Sequence, residues 1–283
     1  MKQTQSDFIW TAALVLVALI GGAYYLLWMP RHPAPGEVRS SAPAPSTGKI
    51  AGPPAPPPIA HPIDEAPARP PETPPPAGAA PTPPVDEPAF EHALTDVLGA
   101  QFVQDHLNVQ GFMQRLVATV DNLPRESVTK LLPLKPIGGQ LAVTGDGENI
   151  TIAPANAARY GALMRTLDAT DPRRLAELYV RYYPLFQRAY EALGYPGRYF
   201  NDRLVQVIDH LLEAPESDGP VRVIQPRVMY QYADPSLESR SAGQKILMRI
   251  GKDNEARVKA KLREFRALIA TSGRKAEKPE HPE

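Results

Sequence analysis

In this 283-residue chain the best local cluster of groups that could do chemistry around a His is Asp209, His210 and Glu213. If residues 201–213 are helical, His210 shares a stripe with Arg203, Gln206 and Glu213, a polar and solvated face. Asp209 then shares a stripe with Asp202, Val205 and Leu212, which is half apolar, so Asp209 is expected to be the buried carboxylate. A buried carboxylate needs a hydrogen-bonding or cationic partner. The cluster therefore has two readings: a structural pair with an Arg or Tyr, or a carboxylate-based hydrolytic site. Ser127-Val128-Thr129-Lys130 has the S-x-x-K spacing of acyl-enzyme nucleophiles. Its companions K-T-G and S-D-N are missing, and the spacing recurs at Ser272–Lys275 in a polar tail, which points to coincidence.

The absence of Cys excludes thiolate metal sites, disulfide scaffolds and cysteine nucleophiles. His32, His61 and His281 fall in Pro-rich or terminal tracts. His92, His106 and His210 remain, with no H-E-x-x-H and no pair at metal spacing, so neither metal nor cofactor is expected. There is no G-x-x-x-x-G-K-[ST] or G-x-G-x-x-G loop to cradle phosphate. Thirty-one basic residues balance 31 acidic ones, which removes any whole-chain attraction to nucleic acid.

The aromatic residues are more informative. Nine of the 11 Tyr lie between Tyr160 and Tyr232. Tyr joins an apolar body to a polar tip and suits peptide or saccharide grooves as well as core rims. Tyr179, Tyr182 and Tyr190 are expected to pack inward. That leaves Tyr183, Tyr195 and Tyr199 as groove candidates, and with Gln187, Arg203 and Asp209 they make the candidate binding set. The last helix carries Arg257, Lys259, Lys261, Arg263 and Arg266, a solvated basic face or a contact for anionic lipid or glycan.

The elements that must position these groups are mostly helical. Phe90–Leu107, Gly111–Val120 and Asn156–Leu167 have helical spacing. Asp171-Pro172 and Asp234-Pro235 are helix starts, with Asp as N-cap and Pro in the first turn. Leu175 to Leu193 continues the helical period with a kink expected at Pro184, and Gly194 ends it. Asn201–Glu213, Ala242–Ile250 and Asp253–Ala270 complete the helices, the last with Val258, Leu262, Phe265 and Ile269 on one face. A hairpin is expected around Gly145-Asp146-Gly147, with short strands near Val221–Ile224 and Val228–Tyr232. The fold class is thus α+β, mainly α-helical, in a single domain.

Three blocks resemble a known family. They are Val120-Asp121-Asn122-Leu123-Pro124-Arg125, the run from Tyr183-Pro184-Leu185 through Tyr195-Pro196, Arg203-Leu204 and Ile208-Asp209, and Ala233-Asp234-Pro235 followed by Ser241–Gly251. Over residues 90–270 the chain resembles the bacterial membrane-anchored family catalogued as domain of unknown function 3014. The resemblance implies an envelope location and no particular activity or catalytic residue.

Residues 8–29 are an uncharged, almost wholly apolar run of about 22 residues, roughly 33 Å as a helix and long enough to span a bilayer. Trp10 lies near one end and Tyr24, Tyr25 and Trp28 near the other, at interfacial depth. The run is longer than the core of a cleaved signal peptide. Lys2 against Arg31 and Arg39 sets no strong orientation. The preferred topology puts the short N-terminus inside and the domain in the periplasm of a bacterial inner-membrane protein.

Twenty-one of the 34 Pro lie between Pro30 and Pro88, which makes residues 30–88 a Pro/Ala-rich, disordered tether. Fully extended it would reach roughly 180 Å. The expected order is a tail over 1–7, an anchor over 8–29, the tether over 30–88, a domain over 89–271 and a disordered tail over 272–283. The expected partners are the bilayer and another envelope protein or peptidoglycan, with weak self-association left open. The function expected is a tethered binding or scaffold module; the alternative is a periplasmic enzyme of cell-wall hydrolase type around Asp209.

Overall fold

The structure is a computed structural model that describes residues 58–63, 85–127, 132–138 and 140–271. The expected span over 8–29, most of the tether, the tail beyond Thr271 and all of the S-x-x-K motif except Ser127 lie outside the described residues. Among the described residues, eleven helices and two short antiparallel strand pairs make a mainly helical α+β fold. None of these helices is long and apolar enough to cross a membrane.

The first helices are α1 (Glu87–Leu98), α2 (Ala100–His106) and α3 (Phe112–Asn122). The first hairpin pairs β1 (Val143–Thr144) with β2 (Thr151–Ile152). Then come α4 (Ala155–Ala158), α5 (Gly161–Ala169), α6 (Pro172–Arg181), α7 (Tyr183–Ala192) and α8 (Phe200–Leu212). β3 (Val223–Ile224) pairs with β4 (Gln231–Tyr232), and α9 (Pro235–Glu238), α10 (Ala242–Arg249) and α11 (Lys252–Thr271) follow.

Local chemistry accounts for most boundaries. Asp86, Asp171 and Asp234 each accept a hydrogen bond from a first-turn amide, with Pro in that turn. The single long helix expected over Phe90–Leu107 is instead broken at Gly99, whose φ of 82° no helix accommodates. The expected kink at Pro184 is a full break. α6 stops at Arg181, Tyr182 leaves helical geometry, and α7 restarts with Pro184 in its first turn, where its missing amide costs nothing. In the first hairpin, a Cβ on Gly145 would stand 2.2 Å from the Asn149 carbonyl oxygen, so only Gly fits that turn.

Phe186 lies at the centre of an aromatic core. Its ring meets Phe90 edge-on at 5.6 Å and Tyr179 at 5.0 Å, and it stacks on Phe200 at 6.0 Å. α3 packs on α7 and α8, and α11 closes the core from the other side against α6 and α8. Val258, Leu262, Phe265 and Ile269 form the buried face of α11, as their spacing requires.

One element departs from the expected disordered tether. Residues 58–63 lie against the domain, with Ile63 buried as part of its core and the Ile63 amide donating to the Tyr199 hydroxyl.

Candidate functional site

Asp121, in the last turn of α3, organises a polar cluster that joins three parts of the chain. It is 4% exposed, and both its carboxylate oxygens are engaged. Oδ1 accepts from Arg203 Nε at 2.8 Å; Oδ2 accepts from Arg125 at 2.7 Å and from the Tyr195 hydroxyl at 3.1 Å. Arg203 also donates to the Asp121 carbonyl at 2.7 Å, and Arg125 donates to the Tyr195 hydroxyl at 2.9 Å. Charged hydrogen bonds of this kind are the strong ones, and the guanidinium of Arg203 serves side chain and backbone together. A buried carboxylate thus ties the end of α3 to α8 and to the loop after α7.

Over this network lies an open cleft of about 500 Å³, lined by Asp121, Arg125, Tyr195, Arg198, Tyr199 and Arg203. A second hollow of about 440 Å³ continues along α8 past Asp202, Gln206 and Asp209 to His210. Tyr190 forms the floor of the first, stacked on Tyr195 at 4.7 Å. Burial, and next the negative charge of Asp121, raises the Tyr190 hydroxyl above its ordinary value, so it remains a neutral donor.

Of the expected binding set, Tyr195, Tyr199 and Arg203 are brought together at the cleft. Tyr183 is not. It is 1% exposed, packs edge-on to Tyr179, and donates its hydroxyl to Gln187 Oε1 at 2.9 Å, so it belongs to the core and cannot line a groove. The reason is spacing: Tyr183 lies four residues after the buried Tyr179, so it shares that face and meets the Tyr179 ring at 5.6 Å. Gln187 is a brace. Its oxygen also accepts the Phe200 amide, and its nitrogen donates to Arg198 O and Glu191, which fixes the loop that carries Tyr195 and Tyr199.

Asp209 is half-exposed rather than buried, and both its oxygens are held by Arg266 of α11. The pair with an Arg is as expected; the burial is not, because Asp209 faces the second hollow. His210 Nε2 lies 2.8 Å from Ser241 Oγ. That oxygen also accepts the Gln244 amide as the N-cap of α10, so the contact completes a helix start. Burial lowers the His210 imidazole below its ordinary value, with Arg203 and Arg240 adding to the effect and Glu213 opposing it.

The basic face of α11 is also largely spent within the fold. Arg257 binds Asp168, Lys259 is buried against Glu255 and Glu216, Lys261 donates to Thr170 O, and Arg266 holds Asp209. Lys259 is buried while Arg263 is exposed, so the five cations do not form one continuous solvated stripe. No group of three or more His, Asp or Glu placed to hold a metal occurs among the described residues.

The sequence reading missed Asp121 as a site residue. The signal was present: Asp121 and Arg125 are four apart at a helix end, the spacing at which opposite charges meet. The three sequence blocks converge here in space. The first supplies Asp121 and Arg125, the second Tyr195 and Arg203, and the third backs both. Ala242 and Gly243 donate their amides to Arg125 O and Leu123 O, at 2.8 and 2.9 Å. A Cβ on Gly243 would come within 2.5 Å of Leu211 Cδ2 and 3.1 Å of Leu123 O, so the close approach needs Gly.

A family model described as a protein of unknown function (DUF3014) matches residues 112–266, just over half of the chain and all of the cleft's helices. No curated protein and no solved structure matches.

Proposed function

The chain belongs to the DUF3014 family of proteins of unknown function, and on that premise we propose that it is a membrane-tethered binding or scaffold module of the bacterial envelope. Residues 8–29 anchor it in the inner membrane, the Pro-rich tract stands it off, and the domain works in the periplasm. The apolar run and the concentration of Pro between residues 30 and 88 support this placement. The cleft over Asp121 is the surface that engages another envelope protein or the cell wall.

One observation carries the choice of cleft. The Asp121 carboxylate is consumed in holding the walls together, while Arg125 and Arg198 stay exposed at the rim beside the half-buried Tyr195 and Tyr199. Arginine forks flanked by tyrosines suit carboxylates on an extended peptide, since the guanidinium binds them bidentately and the rings supply rigid contact area. At Asp209, by contrast, both carboxylate oxygens are already taken by Arg266.

A photoreactive phenylalanine analogue placed at the exposed cleft residue Gln206 in full-length protein, which leaves Arg125 and Arg198 in place, tests this in living cells. A discrete adduct heavier than the chain is expected, with its yield at least fivefold lower when Arg125→Glu is added. No adduct, or an adduct indifferent to Arg125→Glu, would refute the assignment of the cleft.

A further inference from the structure

The face of α8 beside this cleft is already occupied by a piece of the chain's own tether. Residues 58–63 carry four backbone amides, since Pro58 and Pro62 have none, and three of the four donate into the domain. Ala60 and His61 donate to the two carboxylate oxygens of Asp202, at 3.0 and 2.7 Å. Ile63 donates to the Tyr199 hydroxyl at 2.6 Å, and the same hydroxyl faces the Ile63 carbonyl at 3.4 Å. The His61 carbonyl accepts from Asn201 Nδ2 at 2.9 Å. The Ile63 side chain is buried at the end of the segment.

Asn201 makes this a built site. It is fully buried, and its orientation is fixed because its oxygen accepts from the Tyr179 hydroxyl. Its two N–H bonds go to Ile269 O and to His61 O. Without the segment, one buried donor loses the acceptor it is aimed at, a cost that polar interiors avoid. Five polar contacts go to the segment's backbone, and the one buried side chain is apolar. That is how an extended peptide is bound by main chain for affinity and by side chain for specificity.

We propose that the groove formed by Tyr199, Asn201 and Asp202 is a binding site for an extended, proline-containing peptide, and that residues 58–63 occupy it in cis as a latch. Twenty-one residues separate Ile63 from Val85, where the domain begins. A connection of that length presents the segment at an effective concentration of order millimolar, so even a weak peptide stays docked while a stronger ligand can displace it. Asp202, Tyr199 and Pro58 also line the hollows over Asp121. The latch therefore forms part of the wall of that cleft and competes with a partner for Tyr199 and Asp202. This regulatory consequence rests on the binding role proposed above, whereas the latch itself rests only on the contacts just given. If the anchor is as proposed, docking also shortens the free tether from residues 30–84 to residues 30–57, and its greatest reach from about 170 Å to about 90 Å.

Hydrogen exchange on the full-length chain in detergent tests the latch directly. The amides of Ala60, His61 and Ile63 should exchange at least tenfold more slowly than in a synthetic peptide of the same sequence, and tenfold dilution should not change this. Asp202→Ala should return them to within about twofold of the free peptide while exchange within α8 and α11 is unaltered; Ile63→Ser should do the same from the ligand side. Free-peptide rates in the unmodified chain would overturn the proposal, as would protection that survives both variants. Protection lost on dilution would overturn the cis latch in favour of a segment supplied by a second copy. Photocrosslinking at Gln206 is a separate readout: it can fail with protection intact, or persist with protection absent, so the two proposals stand or fall separately. Release of the latch by Ile63→Ser should raise the yield of that adduct at least twofold, and an unchanged yield would refute the regulatory role.

Discussion

Asp121→Asn is expected to destabilise the domain by about 3 kcal/mol and to abolish partner capture at the cleft. The substitution keeps the shape and removes the charge. Arg203, whose side chain is only 20% exposed, is left beside a neutral amide, and removing one partner of a buried charge pair typically costs about 3–5 kcal/mol. The lower end applies because Arg203 keeps its bond to the Asp121 carbonyl and another to Gln206. Arg125→Ala gives the contrast. Its side chain is half-exposed, and an ion pair of that kind is worth about 0–1 kcal/mol. Chemical denaturation of the two variants separates a structural keystone from a surface charge. Equal effects would mean that Asp121 does not hold the cleft together.

Lys259→Met is expected to cost about 3–5 kcal/mol at neutral pH, or about 6–20 °C in Tm for a domain of this size. Lys259 and Glu255 are each 2% exposed and lie 3.0 Å apart on α11. Lys259 also donates to Ala214 O at 2.6 Å and to Glu216 at 3.0 Å. Burial already holds the Glu255 carboxyl above its ordinary 4.5, with Lys259 pulling the other way. Without Lys259 the carboxyl rises further. In the window between 4.5 and the folded value, the folded state then holds a proton that the unfolded state has released. Stability falls as pH rises through that window, so the variant's deficit is smallest near pH 4.5 and greatest at neutrality. Lys259→Met combined with Glu255→Gln should recover most of the loss and flatten the pH dependence. A deficit equal at pH 4.5 and 7 would show that lost packing, not a stranded carboxylate, is responsible.

Much of the scaffold is legible in the sequence because its signals are local. Asp171-Pro172, Asp234-Pro235 and the apolar face of α11 declare themselves through capping chemistry and periodicity, and the structure places them as expected. The site is less legible because it is assembled across the chain. Asp121 and Arg203 are 82 positions apart, and nothing in either neighbourhood announces the other. Tyr183 illustrates a different failure: it is four residues after Tyr179 and three before Phe186, so helical spacing already puts it on the buried face, and the expectation that this segment holds too many Tyr for one core overrode that signal. Residues 58–63 are hidden by composition. A tract read as uniformly Pro-rich conceals that Ile59 and Ile63 are the only large apolar residues between positions 51 and 84, and Ile63 is the one that finds a pocket.

Everything proposed for the cleft requires that it be displayed outside the cytosol on an anchored chain. The most direct measurement follows the intact full-length protein through detergent-free lysis, then adds protease to spheroplasts prepared without breakage. The account predicts that the chain sediments with membranes, resists extraction by high salt, dissolves in detergent, and loses its C-terminal domain to external protease while a cytosolic control survives. Full-length chain in the high-speed supernatant, or a domain shielded from protease until the spheroplasts are lysed, would contradict it.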